Sequence, residues 1–213
     1  MGFVPNELNA TSWEQLEPLY EDLVTRSLEN VEQLETIIKD ESELREWVSE
    51  AGSRLYVAMT CATEDEDKKN AYLDFVENVE PKLSAIGDRL NRRIMESPAI
   101  DKLDVETYGV MIRDIRADIE IFREENIPLR TELTKLGQKY EEICGSMMVT
   151  FEGEERTMQQ MGKFLQVTDR NTREQAWKVV WERRAKDADK IDNLYEQMLV
   201  IRHQIAINAG FEN

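Results

Sequence analysis

Histidine occurs once in these 213 residues, and that scarcity excludes more chemistry than any other feature of the chain. A catalytic zinc site takes about three protein ligands, drawn from His, Asp, Glu and Cys, and leaves one position open for water. His203 is followed by Gln204 and, one turn on, by Ile207, so the helical zinc motif H-E-x-x-H lacks both its glutamate and its second histidine. The Glu-x-x-His pair of a di-iron bundle is missing as well, because Val200 stands where its glutamate would be. His203 is therefore read as a helix-surface or packing residue. Cysteine is almost as rare. Cys61 and Cys144 have no imidazole nearby in sequence, and both are expected to be buried free thiols. Their spacing makes no disulfide framework, which fits a reducing cytoplasm.

Long apolar runs are absent too. No stretch approaches the ~20 apolar residues of a membrane span, and the opening Met1 to Glu7 has no basic segment leading into an apolar one, so neither anchoring nor export is expected. Positive charge is in deficit: 27 Lys and Arg against 44 Asp and Glu give a net charge of −17. That sign matches phosphate backbones and anionic lipid, so no nucleic-acid and no membrane partner is expected. An acidic surface attracts cationic peptides only weakly, because cellular salt screens it within about 8 Å. Neither a glycine-rich phosphate loop nor a nucleophile elbow occurs. No catalytic, cofactor-binding or metal-ligating residue is assigned.

Nine glycines and five prolines leave long uninterrupted intervals in which apolar residues recur three and four apart, the mark of amphipathic helices. Ser12 with Gln15 offers a capping box for the first, and Pro18 predicts a kink or a later start near Glu17. Ser27 offers a start for a helix over Leu28 to Ala62, with a break or bend near Asp40 to Ser42 and with Leu44, Trp47, Val48, Leu55, Val57 and Ala58 on its buried side. Glu64 to Asp67 places carboxylates at the positive end of the next helix, which is expected to bend at Pro81 and stop at Ser97-Pro98. Asp104 caps a helix carrying Tyr108, Ile112, Ile115, Ile119 and Phe122. Pro128 suits the first turn of another, running to Ile143. The one break in this pattern is residues 147–157: β-prone Met148 to Phe151, a turn at Glu152 to Glu154, and a returning strand. Thr157 with Gln160 makes a second capping box. From Asp169 or Asn171 to Asn208 there is no glycine or proline, which predicts one helix of about 38 residues, roughly 57 Å long, ended by Gly210. Along it Trp177, Trp181, Ala185, Ala188, Ile191, Tyr195, Met198, Ile201 and Ile205 share a broad side. Trp177 and Trp181 are read as core, with the lining of a peptide channel as the other reading. The fold class is all-α: long antiparallel helices in an elongated layered bundle with one small β-hairpin. No repeat or low-complexity linker divides residues 1–213, so one helical region is expected.

Several strings go further than composition and spacing. They are Tyr56-Val57-Ala58-Met59-Thr60-Cys61-Ala62-Thr63 ahead of the acidic run, Phe75 to Leu83 (FVENVEPKL) and Phe122 to Leu129 (FREENIPL). Phe151-Glu152-Gly153-Glu154 with Arg156-Thr157, Arg173 to Trp177 (REQAW), and the ending Arg202 to Asn213 (RHQIAINAGFEN) continue the series. Together, in order, they resemble the oligoendopeptidase F family among the thimet-oligopeptidase-like zinc metallopeptidases. The resemblance implies an amino-terminal part of a longer, mostly helical parent whose halves face each other across a channel that admits short peptides. It also implies a zinc cofactor in the parent, held by two histidines of H-E-x-x-H and a further glutamate. None of these is carried by this chain, so no zinc is expected to bind here alone. The implied partners are short peptide substrates and the carboxy-terminal catalytic half of the same parent. A second reading stands beside it: a stand-alone acidic helical scaffold that binds a partner without catalysis.

Overall fold

A computed structural model gives the structure of residues 2–62 and 64–212. Met1, Thr63 and Asn213, each an end residue of a segment quoted above, lie outside the described residues. The fold is all-α with a single two-stranded hairpin. Its residues gather into two compact units, 2–132 with 203–212, and 133–202.

In the first unit, α1 spans Trp13–Thr25 and buries Leu16, Tyr20, Leu23 and Val24. Ser12 does precede it, but the expected capping box is not formed. The Ser12 hydroxyl donates to Glu14 Oε2 at 2.7 Å, and Gln15 Oε1 accepts instead from the Asn9 amide at 2.8 Å. The helix starts ahead of Pro18 and contains it. Helix α2 runs uninterrupted over Val31–Thr60, so no break occurs at Asp40 to Ser42. Its start is set by Asn30 rather than Ser27, because the Asn30 carboxamide accepts the Gln33 amide at 3.0 Å. Leu44 and Val48 are buried as expected, while Val57 is exposed.

Asp65 accepts the Lys68 amide at 3.2 Å and opens α3, Glu66–Asn78. The expected bent helix is two helices: α4, Glu80–Glu96, begins again with Pro81 in its first turn, where a missing amide hydrogen costs nothing. Ser97 ends α4, and its hydroxyl donates to Leu28 O at 2.6 Å. Asp104 caps α5, Val105–Ile121, by accepting the Thr107 amide at 2.9 Å.

Helix α1 packs on α2 and α4, α2 on α3, α3 on α4, and α4 on α5. The shared core holds Leu16, Leu23, Leu34, Ile37, Leu44, Phe75, Ile86, Leu90 and Ile94. Polar groups tie its edges. Glu43 accepts the amides of Phe3 and Val4 at 2.8 and 3.3 Å. The Arg93 guanidinium donates to the carbonyls of Val24 and Arg26, satisfying acceptors at the C-terminus of α1 that have no helical partner.

Helix α6, Asn126–Gly145, leads into the second unit. There β1, Met148–Phe151, pairs antiparallel with β2, Glu154–Thr157, in the register Met148 to Thr157 and Phe151 to Glu154. Glu152 and Gly153 both take positive φ, 53° and 80°, as a two-residue primed turn demands. Thr157 and Gln160 form the expected reciprocal capping box at the start of α7, Met158–Met161. A 3-10 turn follows, then α8, Arg170–Ala185, capped by Asp169. The core is small: Val149, Phe151, Met161, Phe164 and Ala176.

The expected 38-residue helix is divided. Helix α8 stops at Ala185 and α9 spans Ala188–Asn208. Between them the Asp187 amide donates to Arg184 O, a tighter i to i−3 bond at 3.1 Å. The buried Asp187 carboxylate accepts from Arg183 Nη1 at 2.5 Å and Lys190 Nζ at 2.9 Å. Gly210, at φ 94°, ends α9 as expected: the Phe211 amide donates to Ala206 O and the Gly210 amide to Ile207 O, both at 3.0 Å.

Candidate functional site

His203 lies on α9 and is exposed. Among the described residues no three His, Cys, Asp or Glu side chains come together as a metal ion requires. No helix among them is long and apolar enough to cross a membrane. Burial of both thiols does not hold. Cys61 is exposed at the C-terminal end of α2, and Cys144 is half-buried near the end of α6. The Tyr140 phenol is held above its usual range, chiefly by its hydrogen bond with Cys144.

The tryptophans are placed differently from the core reading. Trp177 and Trp181 stack face to face, centroids 6.0 Å apart and planes 5° from parallel, and are 54% and 60% exposed. Helix α8 turns Ala176 to the hairpin core instead, with Val179 and Val180 beside it. The physical reason is space: the core side must fit against Phe151 and Phe164, whose rings meet edge to face at 4.9 Å, and a small side chain does so. Residues 177 and 181 point about 100° or more around the helix from 176. The pair thus presents an apolar plate on the second unit's surface. Farther along, α9 has no buried residue, and Tyr195, Leu199 and Val200 are exposed.

The first unit carries a cavity of about 350 Å3 between α2, α3 and α4. Val48, Gly52, Phe75 and Leu83 form its apolar part, Tyr56 and Tyr72 meet at 5.7 Å with rings tilted by 60°, and Glu80 completes it. Gly52 is required where α2 approaches α3, since a Cβ there would sit 2.9 Å from Phe75 Cε1. Glu80 is exposed at the edge of this lining, and partial loss of water there pushes its carboxyl above its ordinary value. Periodicity alone could not have found this site, because it joins three helices.

Two of the strings that carry the resemblance meet in the first unit. The buried Asn126 donates through Nδ2 to Ile205 O at 3.1 Å and accepts from Asn208 Nδ2 at 2.7 Å. Arg123 donates to Ala209 O at 3.4 Å. The turn before α6 and the end of α9 are thereby locked through buried amides, whose loss would leave unsatisfied polar groups.

With this geometry in hand, similarity to known proteins can be stated. The peptidase M3 N-terminal domain matches residues 3–122, more than half of the chain. No curated protein matches it. Among solved structures, a candidate oligoendopeptidase F from Bacillus anthracis str. Ames superposes with a TM-score of 0.87 at 24% identity, over 100% of this chain and 39% of its own. A second candidate oligoendopeptidase F gives 0.87 at 23% identity, over 100% and 38%. PZ peptidase A, solved with an inhibitor, gives 0.86 at 25% identity, over 99% and 38%. The chain thus spans less than two-fifths of the length of the structures it matches.

Proposed function

This chain belongs to the family of the peptidase M3 N-terminal domain, and from that premise we propose that it is the amino-terminal wall of a zinc endopeptidase that hydrolyses short peptides. The observation that carries the reading is coverage: the whole chain follows about 39% of an oligopeptidase-like structure, from its first described helix to its last. A peptidase wall needs shape and apolar contact more than titratable groups. The exposed plate of Trp177 and Trp181 and the uncovered face of α9 supply both in the second unit. Contiguous exposed apolar groups of this kind mark surfaces that meet a partner or a ligand.

Zinc does not fit the side chains of this chain. The single imidazole stands on a solvent-facing side of α9, and no acidic or thiol groups gather with it among the described residues. The proposal therefore assigns metal and hydrolysis to a carboxy-terminal catalytic half of the parent, in the cytoplasm, and assigns peptide contact to this part. The alternative of a self-sufficient scaffold is disfavoured by α9, which buries nothing although it carries Tyr195, Leu199 and Val200.

The test joins the chain to its continuation. A longer product of the same reading frame is expected to supply H-E-x-x-H and a downstream glutamate, and to cleave a quenched fluorescent oligopeptide in a chelator-sensitive way. Trp177→Ala with Trp181→Ala in that product should raise KM with kcat retained. A stop codon shortly after Asn213 would refute the proposal.

A further inference from the structure

We propose that the cavity between α2, α3 and α4 is a binding site for a primary ammonium group carried on an apolar stem, as in a lysine side chain. The inference stands apart from the peptidase reading, since it uses only groups of the first unit.

Three features point to that ligand. The cavity holds about 350 Å3, lined at its base by Val48, Phe75 and Leu83, an apolar surface that takes a polymethylene stem. Tyr56 and Tyr72 belong to the same lining, with ring centroids 5.7 Å apart and planes tilted by 60°, so two aromatic rings adjoin this space. A cation within about 6 Å of an aromatic face is attracted by the ring quadrupole. Glu80, itself exposed, adds a carboxylate to the same lining beside these apolar groups. An entering ammonium would meet that carboxylate as its counter-charge, in a charge-assisted hydrogen bond.

Charge complementarity decides against other occupants. An anionic ligand would meet Glu80 and a chain of net charge −17. A purely apolar ligand would leave the carboxylate desolvated and without a counter-charge. The fold already makes the same kind of contact twice in this unit, with Lys82 over the Trp13 ring at 5.6 Å and Arg26 over Phe3 at 4.7 Å.

The test is an amide chemical-shift titration of the full chain with three probes: Nα-acetyl-lysine methylamide, its uncharged norleucine counterpart, and putrescine. The lysine probe should shift the amides of Gly52, Ser53, Tyr72 and Glu80 saturably, and the norleucine probe should bind at least fivefold more weakly. Putrescine binding as tightly as the lysine probe would assign the site to free amines; tighter lysine binding would assign it to a basic side chain. Glu80→Gln, which keeps the shape and removes the charge, should weaken the lysine probe about fivefold, and Tyr56→Leu about threefold. Helix content and the dispersion of core resonances confirm that each variant is folded. Equal binding of lysine and norleucine probes, no shift around the cavity, or full affinity in Glu80→Gln would overturn the proposal.

Discussion

Replacing Phe164 by alanine should strongly destabilise the second unit while leaving the first intact. Phe164 is one of five buried residues in that core, 9% exposed, with its ring edge to face on Phe151 at 4.9 Å. The Arg156 guanidinium and the Lys163 ammonium each lie 4.8 Å from its centroid. A buried Phe→Ala change costs about 3–5 kcal/mol through lost transfer energy and the cavity left behind. The aromatic pair adds up to about 1.5 kcal/mol, so ~4 kcal/mol is a fair total if the site partly collapses. At about 0.05–0.15 kcal/mol per residue, a unit of about 70 residues has only ~4–10 kcal/mol of stability to lose. Amide exchange measures this directly. Protection of Val149 to Phe151 and of Glu154 to Arg156 should fall by about three orders of magnitude, since 1.4 kcal/mol is tenfold. The amides of Leu34 and Leu44, in the core of α2, should keep their protection. An equal loss in both units would refute the separate core, and an unchanged hairpin would refute the burial argument.

Leu16→Ala, at a fully buried position of α1, should cost about 2–5 kcal/mol and appear as a lower denaturation midpoint reported by first-unit amides. Gly153→Ala should cost about 1–2 kcal/mol, read by urea unfolding, because φ of 80° is strained for any side chain. Asp65, Asp104 and Asp169 are held below the usual carboxylate range, first by side-chain hydrogen bonds from Lys68, Thr107 and Thr172 respectively. Their contribution is present above the unfolded pKa near 4 and is lost as pH falls through the lower folded values. Asp104→Asn should therefore flatten the acid limb of the stability curve. Tyr20 is pushed up to about 12, by burial and then by Glu41. Its contribution is complete below pH ~10 and is lost as pH rises through about 12, so tyrosinate absorbance should show a late-titrating component near pH 12 that disappears in Tyr20→Phe.

Local signals in the chain were legible where a single residue type decides the backbone. Asp104, Thr157 with Gln160, Glu152-Gly153 and Gly210 each act through their own turn, and each does what its chemistry predicts. Signals that depend on packing were not. Ser12 lost its capping role to a competing bond with Glu14, and α2 continues as helix past Asp40, where its apolar face is held on one continuous core. The division at Asp187 involves no glycine or proline; the backbone tightens there, the Asp187 amide bonding back three residues to Arg184 O rather than four, and no residue type in the sequence marks the place. The tryptophans misled for a related reason: period places residues on a common side, while the depth of the partner surface decides whether alanine or tryptophan fits. The cavity at Glu80 and the Asn126 to Asn208 lock join residues far apart in sequence, so no window along the chain contains them.

The proposed function assigns this polypeptide to the shape of a peptidase and assigns metal and hydrolysis to a catalytic half of its parent. Metal analysis of the purified 213-residue chain, after zinc loading and desalting, should find no stoichiometric zinc, and a quenched fluorescent peptide should remain uncut. One zinc per chain, with turnover that a chelator abolishes, would contradict it.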